Sequence, residues 1–249
     1  MKHDFEFILA LTEREIKARY KRAVFGFLWM ILNPVFQMLI IGLIFSFFIE
    51  VPNYFLFLLT GLLPWQFFSL SLSKATPSFT YERAMLYKSK FFRASIPIAI
   101  ILANFFHLMV ALGLLLLYLL ITQKIYFPEI LILFPALVWF LVFTIGVSLL
   151  TSVLQIRFRD INFFVQALLI LWFYATPILY NFTILPRDLS WIFSINPLSV
   201  VFEWFHLAIL GKGGLGLKVV LANLAISVLI VFIGVMVYKK QSKQLVDWL

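Results

Sequence analysis

Long uncharged stretches alternate with short charged connections along this chain. Six stretches contain no Asp, Glu, Lys or Arg, and they span 23–49, 51–73, 94–123, 130–156, 161–186 and 219–238. A helix needs about 20 apolar residues to cross the roughly 30 Å hydrocarbon core of a bilayer, and it satisfies its backbone hydrogen bonds internally. The pattern predicts an all-α integral membrane protein with six transmembrane helices.

The predicted helices belong to one membrane domain covering 1–249. We expect the six spans at 27–49, 54–73, 98–121, 130–154, 161–180 and 219–238. Charged residues make up 12% of the chain, against about 25% in an average soluble domain. The first uncharged stretch is too long for a signal-peptide core and lacks a small-residue cleavage site, so we expect it to remain as a helix.

Basic residues are distributed unequally between alternate connections. Sixteen of the 20 Lys and Arg residues fall in the connections that lie on one side of a six-span topology, and four fall on the other. The positive-inside bias then predicts that both termini are cytoplasmic. The net charge of +9 is therefore interpreted as an orientation signal facing anionic lipid, and no nucleic-acid partner is expected.

Segment 4–22 has the pattern of an amphipathic helix. Its polar side offers the i,i+4 pairs Glu13/Lys17 and Glu15/Arg19. The apolar side follows helical spacing and consists of Phe5, Ile8, Leu9, Thr12, Ile16 and Tyr20. A basic amphipathic helix of this kind favours the cytoplasmic membrane surface; a solvated leader is the alternative.

Two further segments do not fit a simple six-helix bundle. Segment 74–97 mixes charged residues with aromatic and Met side chains, which favours docking of a partner protein; a plain interfacial loop is the alternative. Segment 181–218 contains apolar runs too short to span a bilayer, separated at Asn196-Pro197. Such runs indicate re-entrant helices against protein or a water-filled cavity, here with Glu203 in the middle.

The sequence offers little catalytic chemistry. It has no Cys, no G-x-x-x-x-G-K-[ST] phosphate loop and no H-E-x-x-H motif, so we expect no catalytic and no metal site. The predicted spans carry no Asp, Glu, Lys or Arg, which disfavours an ion-coupled carrier, and His107 near a helix centre is interpreted as an interhelical hydrogen-bonding residue, with a proton relay as the alternative. The amides within them, including Gln37, Gln66, Asn104 and Gln166, are interpreted as packing contacts between helices.

Several short motifs resemble a known family. The run from Leu11 to Arg22 (L-T-E-R-E-I-K-A-R-Y-K-R), followed by Gly26-Phe-Leu-Trp29 and Asn33-Pro34, is similar to the permease subunit of type-2 ABC exporters for polysaccharides. Further matches are Arg159-Asp160-Ile161, Thr176-Pro177-Ile178-Leu179-Tyr180, Leu185-Pro186 and Asn196-Pro197-Leu198. That family exports O-antigens, teichoic acids and capsular polymers.

The resemblance implies a mechanism and partners. It implies a homodimer in the bacterial inner or plasma membrane, paired with two copies of a P-loop ATPase that binds ATP and Mg, with no cofactor in this chain. The implied substrate is an undecaprenyl-diphosphate-linked polysaccharide. By the same resemblance, 4–22 is an interface helix, 74–97 a cytoplasmic coupling region, and 185–210 a pair of external re-entrant gate helices. Phe91-Phe92-Arg93 departs from the family's usual F-P-R.

The resemblance also suggests functional residues. Coupling to the ATPase is expected at Phe79, Tyr81, Glu82, Arg83, Met85, Leu86 and Lys88. A lipid-diphosphate entrance is expected at Arg14, Lys17, Arg19, Lys21 and Arg22. Independently of the resemblance, aromatic residues around 172–205 are denser than membrane anchoring requires, and channel or gate aromatics are expected at Trp172, Tyr174, Tyr180, Trp191, Phe193, Phe202, Trp204 and Phe205. Export of a drug or small lipid by the same architecture is the first alternative, and a secondary carrier or a membrane-embedded glycan enzyme is the second.

Overall fold

The fold is helical throughout the part of the chain that the structure describes. A computed structural model describes residues 2–21, 26–49, 51–88, 91–181, 191, 195–211, 213–242 and 245. Every regular element in these residues is a helix, which confirms the predicted all-α class.

The α-helices are numbered here in chain order from α1 to α10. Their bounds are Lys2–Tyr20 (α1), Trp29–Phe45 (α2), Tyr54–Ala75 (α3), Ser78–Tyr81 (α4), Arg83–Lys88 (α5), Ser95–Ile121 (α6), Leu133–Arg157 (α7), Ile161–Ala175 (α8), Ser199–Leu210 (α9) and Leu217–Gln241 (α10). Short 3-10 turns, Gly26–Leu28 and Glu129–Ile132, precede α2 and α7.

Four helices are long and apolar enough to cross a membrane. They are α3, α6, α7 together with its preceding turn, and α10. The chain is therefore a multi-pass membrane protein. Helix α2 has 17 residues and α8 has 15, so at 1.5 Å per residue they are about 26 and 23 Å long, shorter than a typical hydrocarbon core. The count of six spans stays a prediction.

Helix α8 ends before its uncharged stretch does, and the sequence explains why. Thr176 has extended backbone angles (φ −102°, ψ 141°), and the residue before a proline is pushed out of the helical region. Pro177 therefore ends the helix at Ala175, where the absence of charge predicted a span to 180.

The core of the bundle is aromatic and is centred on α3. This helix contacts α2, α6, α7, α8 and α9. The ring of Phe140 lies 5.9 Å from Phe68, 5.8 Å from Phe202 and 6.0 Å from Phe205, centroid to centroid. All four side chains are fully buried, so α9 is an internal part of the bundle.

The last helix packs mainly against one neighbour. Helix α10 packs chiefly on α7, and the two backbones approach closely at a pair of glycines. A Cβ added at Gly234 would lie only 2.2 Å from the carbonyl oxygen of Gly146. Small residues at a crossing allow this approach between membrane helices.

The two ends of the bundle differ in composition. At one end, called the basic end here, a second apolar cluster joins α1, α4, α5 and the end of α10 through Leu11, Phe79, Leu86 and Tyr238. The opposite end carries residues 51–53, 124–126, 211 and 213–214, which belong to connections between helices. Helices α6 and α8 start at the basic end, whereas α3, α7 and α10 finish there.

Candidate functional site

One face of α3 is polar over two turns. Gln66, Ser69 and Ser73 follow i, i+3, i+7 spacing, which places them on one side of the helix. Their side chains are partly exposed, whereas Phe67 and Phe68 on the other side are buried. The core thus covers one side of α3 and leaves the polar side open.

Helices α2 and α8 extend this polar face into a groove. Gln66 Nε2 donates to Gln37 Oε1 of α2 at 3.3 Å, and Ser73 Oγ donates to Gln166 Oε1 of α8 at 3.3 Å. The resulting cavity has a volume of about 480 Å³. Its lining comprises Gln37, Ile41, Trp65, Gln66, Ser69, Ser73, Gln166, Leu169, Ile170, Phe173 and Tyr174. We call this cavity the polar groove.

The polar groove does not suit contact with lipid tails. Gln37 and Gln166 are exposed on the protomer, and each amide carries two donors and an acceptor. Hydrocarbon cannot satisfy those groups, and leaving them unsatisfied costs several kcal/mol per group. This face is therefore turned toward water or toward protein.

The polar groove continues to the basic end. A second cavity of about 480 Å³ shares Ser73 and Gln166 with it. Its further lining consists of Glu15, Lys74, Pro77, Ser78, Tyr81, Glu82, Ile100 and Asn162. We call this cavity the groove mouth, because the polar lining runs through it to the charged surface formed by α1, α4 and α5.

The predicted entrance residues take different positions. Arg14 Nη2 donates to Glu82 and to Glu15, and Lys17 pairs with Glu13 one turn away. Arg19 points inward, where its guanidinium contacts Asn104 and His107 of α6. Lys21 is exposed. Arg22 lies outside the described residues.

Arg14 and Glu82 join two elements that lie far apart in the sequence. The pair connects α1 to the turn between α4 and α5. Burial works against the charge of Arg14, but the carboxylates of Glu82 and Glu15 outweigh it and raise the pKa of Arg14 above its ordinary value. The predicted interface helix and the predicted coupling region are thus in direct contact.

The predicted coupling residues divide into an anchored set and an exposed set. Phe79 and Leu86 are buried in the apolar cluster of the basic end, and Met85 packs against it. Tyr81 is 79% exposed, and Arg83 is exposed with its guanidinium over the ring of Tyr87. Lys88 ends α5, and its side chain lies outside the described residues.

The predicted gate aromatics also divide. Phe202 and Phe205 are in the core, while Trp172 is partly buried and donates from Nε1 to Asn196 Oδ1 at 2.8 Å. Tyr174 and Trp191 are exposed. Tyr180 donates to the Tyr174 carbonyl at 2.7 Å, and Trp204 is partly buried. Phe193 lies outside the described residues, as do 182–190, so α9 is the described part of the predicted pair of gate helices.

Glu203 and His206 form a polar cluster at the opposite end. Both are buried on one face of α9 and line a cavity of about 100 Å³ with Lys124. Glu203 Oε1 accepts from the Gly214 backbone N–H at 2.8 Å. Gly213 allows this approach, because its φ of +130° suits glycine and a Cβ there would lie 2.6 Å from the carboxylate.

Burial shifts the pKa values of both Glu203 and His206. It raises the pKa of Glu203, although the Gly214 N–H works the other way. It lowers the pKa of His206 to about 3 against the opposing effect of a hydrogen bond with the Phe57 backbone. His206 Nε2 has no hydrogen-bond partner among the described residues.

Sequence reasoning missed the polar groove. It interpreted Gln37, Gln66 and Gln166 as packing contacts, and each does bond between helices, as Asn104 does to Ser71 at 3.1 Å in a buried position; it did not predict that the three glutamines line an open groove. The usable signal was the spacing of Gln66, Ser69 and Ser73. Among the described residues, no three His, Asp or Glu side chains lie close enough together to bind a metal ion.

Comparison with known proteins gives consistent matches. Residues 6–210 match the family model for the ABC-2 type transporter. The chain is 33% identical over 216 residues to an O-antigen export system permease protein RfbA of Klebsiella pneumoniae, covering 82% of this chain and 80% of that protein. A protein of the same name from Myxococcus xanthus is 32% identical over 199 residues, or 77% and 75% of the two chains. The family match includes every helix that lines the polar groove.

Proposed function

The chain belongs to the ABC-2 type transporter family, and from this membership we propose that it is the permease subunit of an ATP-driven exporter of a lipid-linked polysaccharide, such as an O-antigen carried on undecaprenyl diphosphate. The relatives above are named O-antigen export permeases. The observation that carries the proposal is the polar groove. It offers amide and hydroxyl groups for sugar hydroxyls, together with the rings of Trp65, Phe173 and Tyr174.

The polar groove would form half of the export path. It is open on one side, because Gln37, Gln166 and Tyr174 are exposed on the protomer. A second copy related by a two-fold axis would bring an identical groove opposite the first. The two copies together would then enclose a polar path and keep its amides away from lipid.

The groove mouth would receive the diphosphate. The exposed Lys21 brings positive charge to this end, and the carboxylates of Glu15 and Glu82 in the lining are paired with Arg14. Ammonium groups attract phosphate oxygens as point charges. Arg14 and Lys17 are paired with carboxylates, so little of their positive charge would be left to attract the diphosphate.

The exposed side of α4 and α5 would dock the ATPase. Tyr81, Arg83 and Tyr87 form a surface of aromatic and Arg side chains, the types enriched at protein interfaces. Phe79 and Leu86 anchor the same two helices in the bundle. Movement of a docked ATPase, driven by ATP and Mg on that subunit, would reach α1 through Arg14 and Glu82.

Single-cysteine labelling tests the path, since the chain has no Cys of its own. We expect Ser69→Cys and Ile170→Cys to react with a water-soluble maleimide in membranes, and Ile170→Cys to form dimers with a short bis-maleimide. Phe232→Cys, on the exposed face of α10, is the matched control and should do neither. Equal protection of all three from the reagent would contradict the polar path.

A second experiment tests the partner. The full chain purified in mild detergent from its native membrane should bring down a P-loop ATPase in equal amount. Tyr81→Ala with Arg83→Ala should lose it, and Tyr126→Ala at the opposite end should retain it. A chain that purifies alone, without ATP hydrolysis, would favour a carrier or an enzyme instead.

A further inference from the structure

An apolar cleft separate from the polar groove runs between α2, α3 and α6. It has a volume of about 350 Å³. Its lining is Ile31, Pro34, Val35, Met38, Phe55, Leu56, Leu59, Leu63, Ala111, Leu114, Leu115 and Tyr118. Apart from the hydroxyl of Tyr118 and the thioether of Met38, these side chains are hydrocarbon, so the cleft suits an apolar chain.

A basic cavity adjoins the cleft. It has a volume of about 310 Å³, and it shares Leu63 and Ala111 with the cleft. Arg19 and Lys74 bring two cations to it, alongside the side chains of Asn33, Gln66 and Asn104. Among the described residues that line it, none is Asp or Glu. The cavity therefore has the charge of an anion site.

Arg19 is held in place for such a site. Its guanidinium contacts Asn104 Oδ1 and His107 Nδ1 on α6, and Asn104 is itself fixed by its bond to Ser71 of α3. A guanidinium whose orientation is fixed by such contacts is pre-organised to bind phosphate oxygens. The two α6 residues thus orient the charge of α1 within the bundle.

The two cavities are arranged like a lipid in a leaflet. The basic cavity lies toward the basic end, where Lys74 is in the last turn of α3, and the cleft extends away from it to Phe55 and Tyr118. Along α3, Leu63 at the junction of the two cavities lies about 17 Å from Lys74 at 1.5 Å per residue, roughly half of a 30 Å hydrocarbon core, so a chain extending from a phosphate at Lys74 would enter the cleft near the middle of the bilayer. A lipid of the leaflet at the basic end would have its head and chain in this order.

From this arrangement we propose that the cleft and the basic cavity together bind one anionic phospholipid of the bilayer, with its phosphate at Arg19 and Lys74 and an acyl chain against Ala111 and Leu115. Basic pockets between membrane helices bind anionic headgroups in this way. Gln66 lies between this site and the polar groove and is hydrogen-bonded to Gln37. The site is thus beside the export path, which favours a resident bilayer lipid over the exported one.

The bound lipid would hold α1 to the membrane bundle. Arg19 is the last basic residue of α1, and its neighbours in the site belong to α2, α3 and α6. A phosphate there would offset the repulsion between Arg19 and Lys74 and fix the end of α1 against α6. This inference does not depend on the exported substrate.

Lipid retention by the full-length protein tests the site. The wild-type chain with its co-purifying partners would be exchanged into nanodiscs of equal parts phosphatidylglycerol and phosphatidylcholine, then released for native mass spectrometry. We expect each copy of the chain to retain one molecule of phosphatidylglycerol and no phosphatidylcholine. Arg19→Gln should lower the retained phosphatidylglycerol about fivefold, the effect of one cation near a membrane surface. Lys240→Gln, an exposed charge at the same end, should not.

A second variant tests the cleft. Ala111→Leu would fill the junction of the two cavities and should reduce retention of the lipid, whereas Ala222→Leu on the exposed face of α10 should leave it unchanged. Equal retention of the two lipids by the wild type would overturn the proposal whether or not the variants fold. So would unchanged phosphatidylglycerol in Arg19→Gln, or a polyprenyl diphosphate as the lipid retained from native membranes.

Discussion

The two faces of α3 come from the same stretch of sequence and have opposite surroundings. On one face, Phe67, Phe68 and Leu72 are buried among the rings of α7 and α9. On the other, Gln66, Ser69 and Ser73 line the polar groove with side chains of α2 and α8. The same turns of helix therefore build both the core and the candidate path.

The difference between these faces shows that the hydrophobicity of an uncharged helix does not reveal which side is buried in the core. In a soluble protein, the polar side of a helix faces water and the apolar side is buried. In a membrane protein, the apolar side can face lipid or protein, so hydrophobicity alone does not locate the core. A few uncharged polar side chains at helical spacing then become the informative signal, because lipid cannot satisfy them.

The largest loss of stability is expected from a substitution on the buried face of α3. Phe68 is fully buried, and its ring lies 5.2 Å from that of Trp172 and 6.1 Å from that of Phe143. Phe68→Ala would leave a cavity that costs about 3–5 kcal/mol. The measurement is the thermal unfolding of the purified protein in detergent, compared with Phe232→Ala. Phe232 is 61% exposed, so its truncation should change the unfolding temperature little. Similar losses in both variants would show that the core is elsewhere.

A smaller, pH-dependent effect is expected where the buried face meets α9. The ring of Phe57 on α3 stacks on His206, with centroids 4.1 Å apart. His206 is buried as neutral imidazole with its pKa lowered to about 3. Its folded pKa lies below its unfolded value near 6.5, so the folded state binds fewer protons and loses stability as pH falls below 6.5. From pH 7.5 to 5.0 this loss amounts to about 2 kcal/mol.

Glu203 opposes this effect and must be removed to see it. Its raised pKa favours the folded state at lower pH, and it lines the same cavity as His206 and Lys124. The comparison is therefore Glu203→Gln against Glu203→Gln with His206→Phe, since Phe can keep the stack on Phe57. We expect the free energy of unfolding to fall between pH 7.5 and 5.0 in Glu203→Gln, and to show no such fall in the double variant. His3→Gln, at an exposed position, is the control, and an equal response of all variants to pH would contradict burial of neutral His206.

The sequence predicted the helical class and the positions of several helices. Specific residues show which features it did not predict. Absence of charge located α3, α6, α7 and α10 closely, because desolvation excludes ions from a span wherever it packs. It placed the end of α8 too late, since Pro177 ends the helix without any change of charge. Aromatic density put Phe202 and Phe205 among the gate candidates, yet both are in the core. Ring content cannot distinguish a channel wall from a core, because both use aromatic side chains.

The smallest effect on stability is expected on the groove face of α3, where function should respond instead. Ser69 is partly exposed, and among the described residues its side chain bonds locally, with Oγ donating to the Gln66 carbonyl at 3.4 Å. Ser69→Leu should change stability by about 0.5 kcal/mol or less, as for most substitutions away from a packed core. It would nonetheless place a branched apolar side chain next to Gln66, and that side chain would narrow the polar path. We expect the surface polysaccharide of cells carrying this variant to fall sharply, while Ser46→Leu, outside the polar groove, exports normally. Normal export by Ser69→Leu would remove this face of α3 from the path, and a loss of stability as large as that of Phe68→Ala would show that both faces are core.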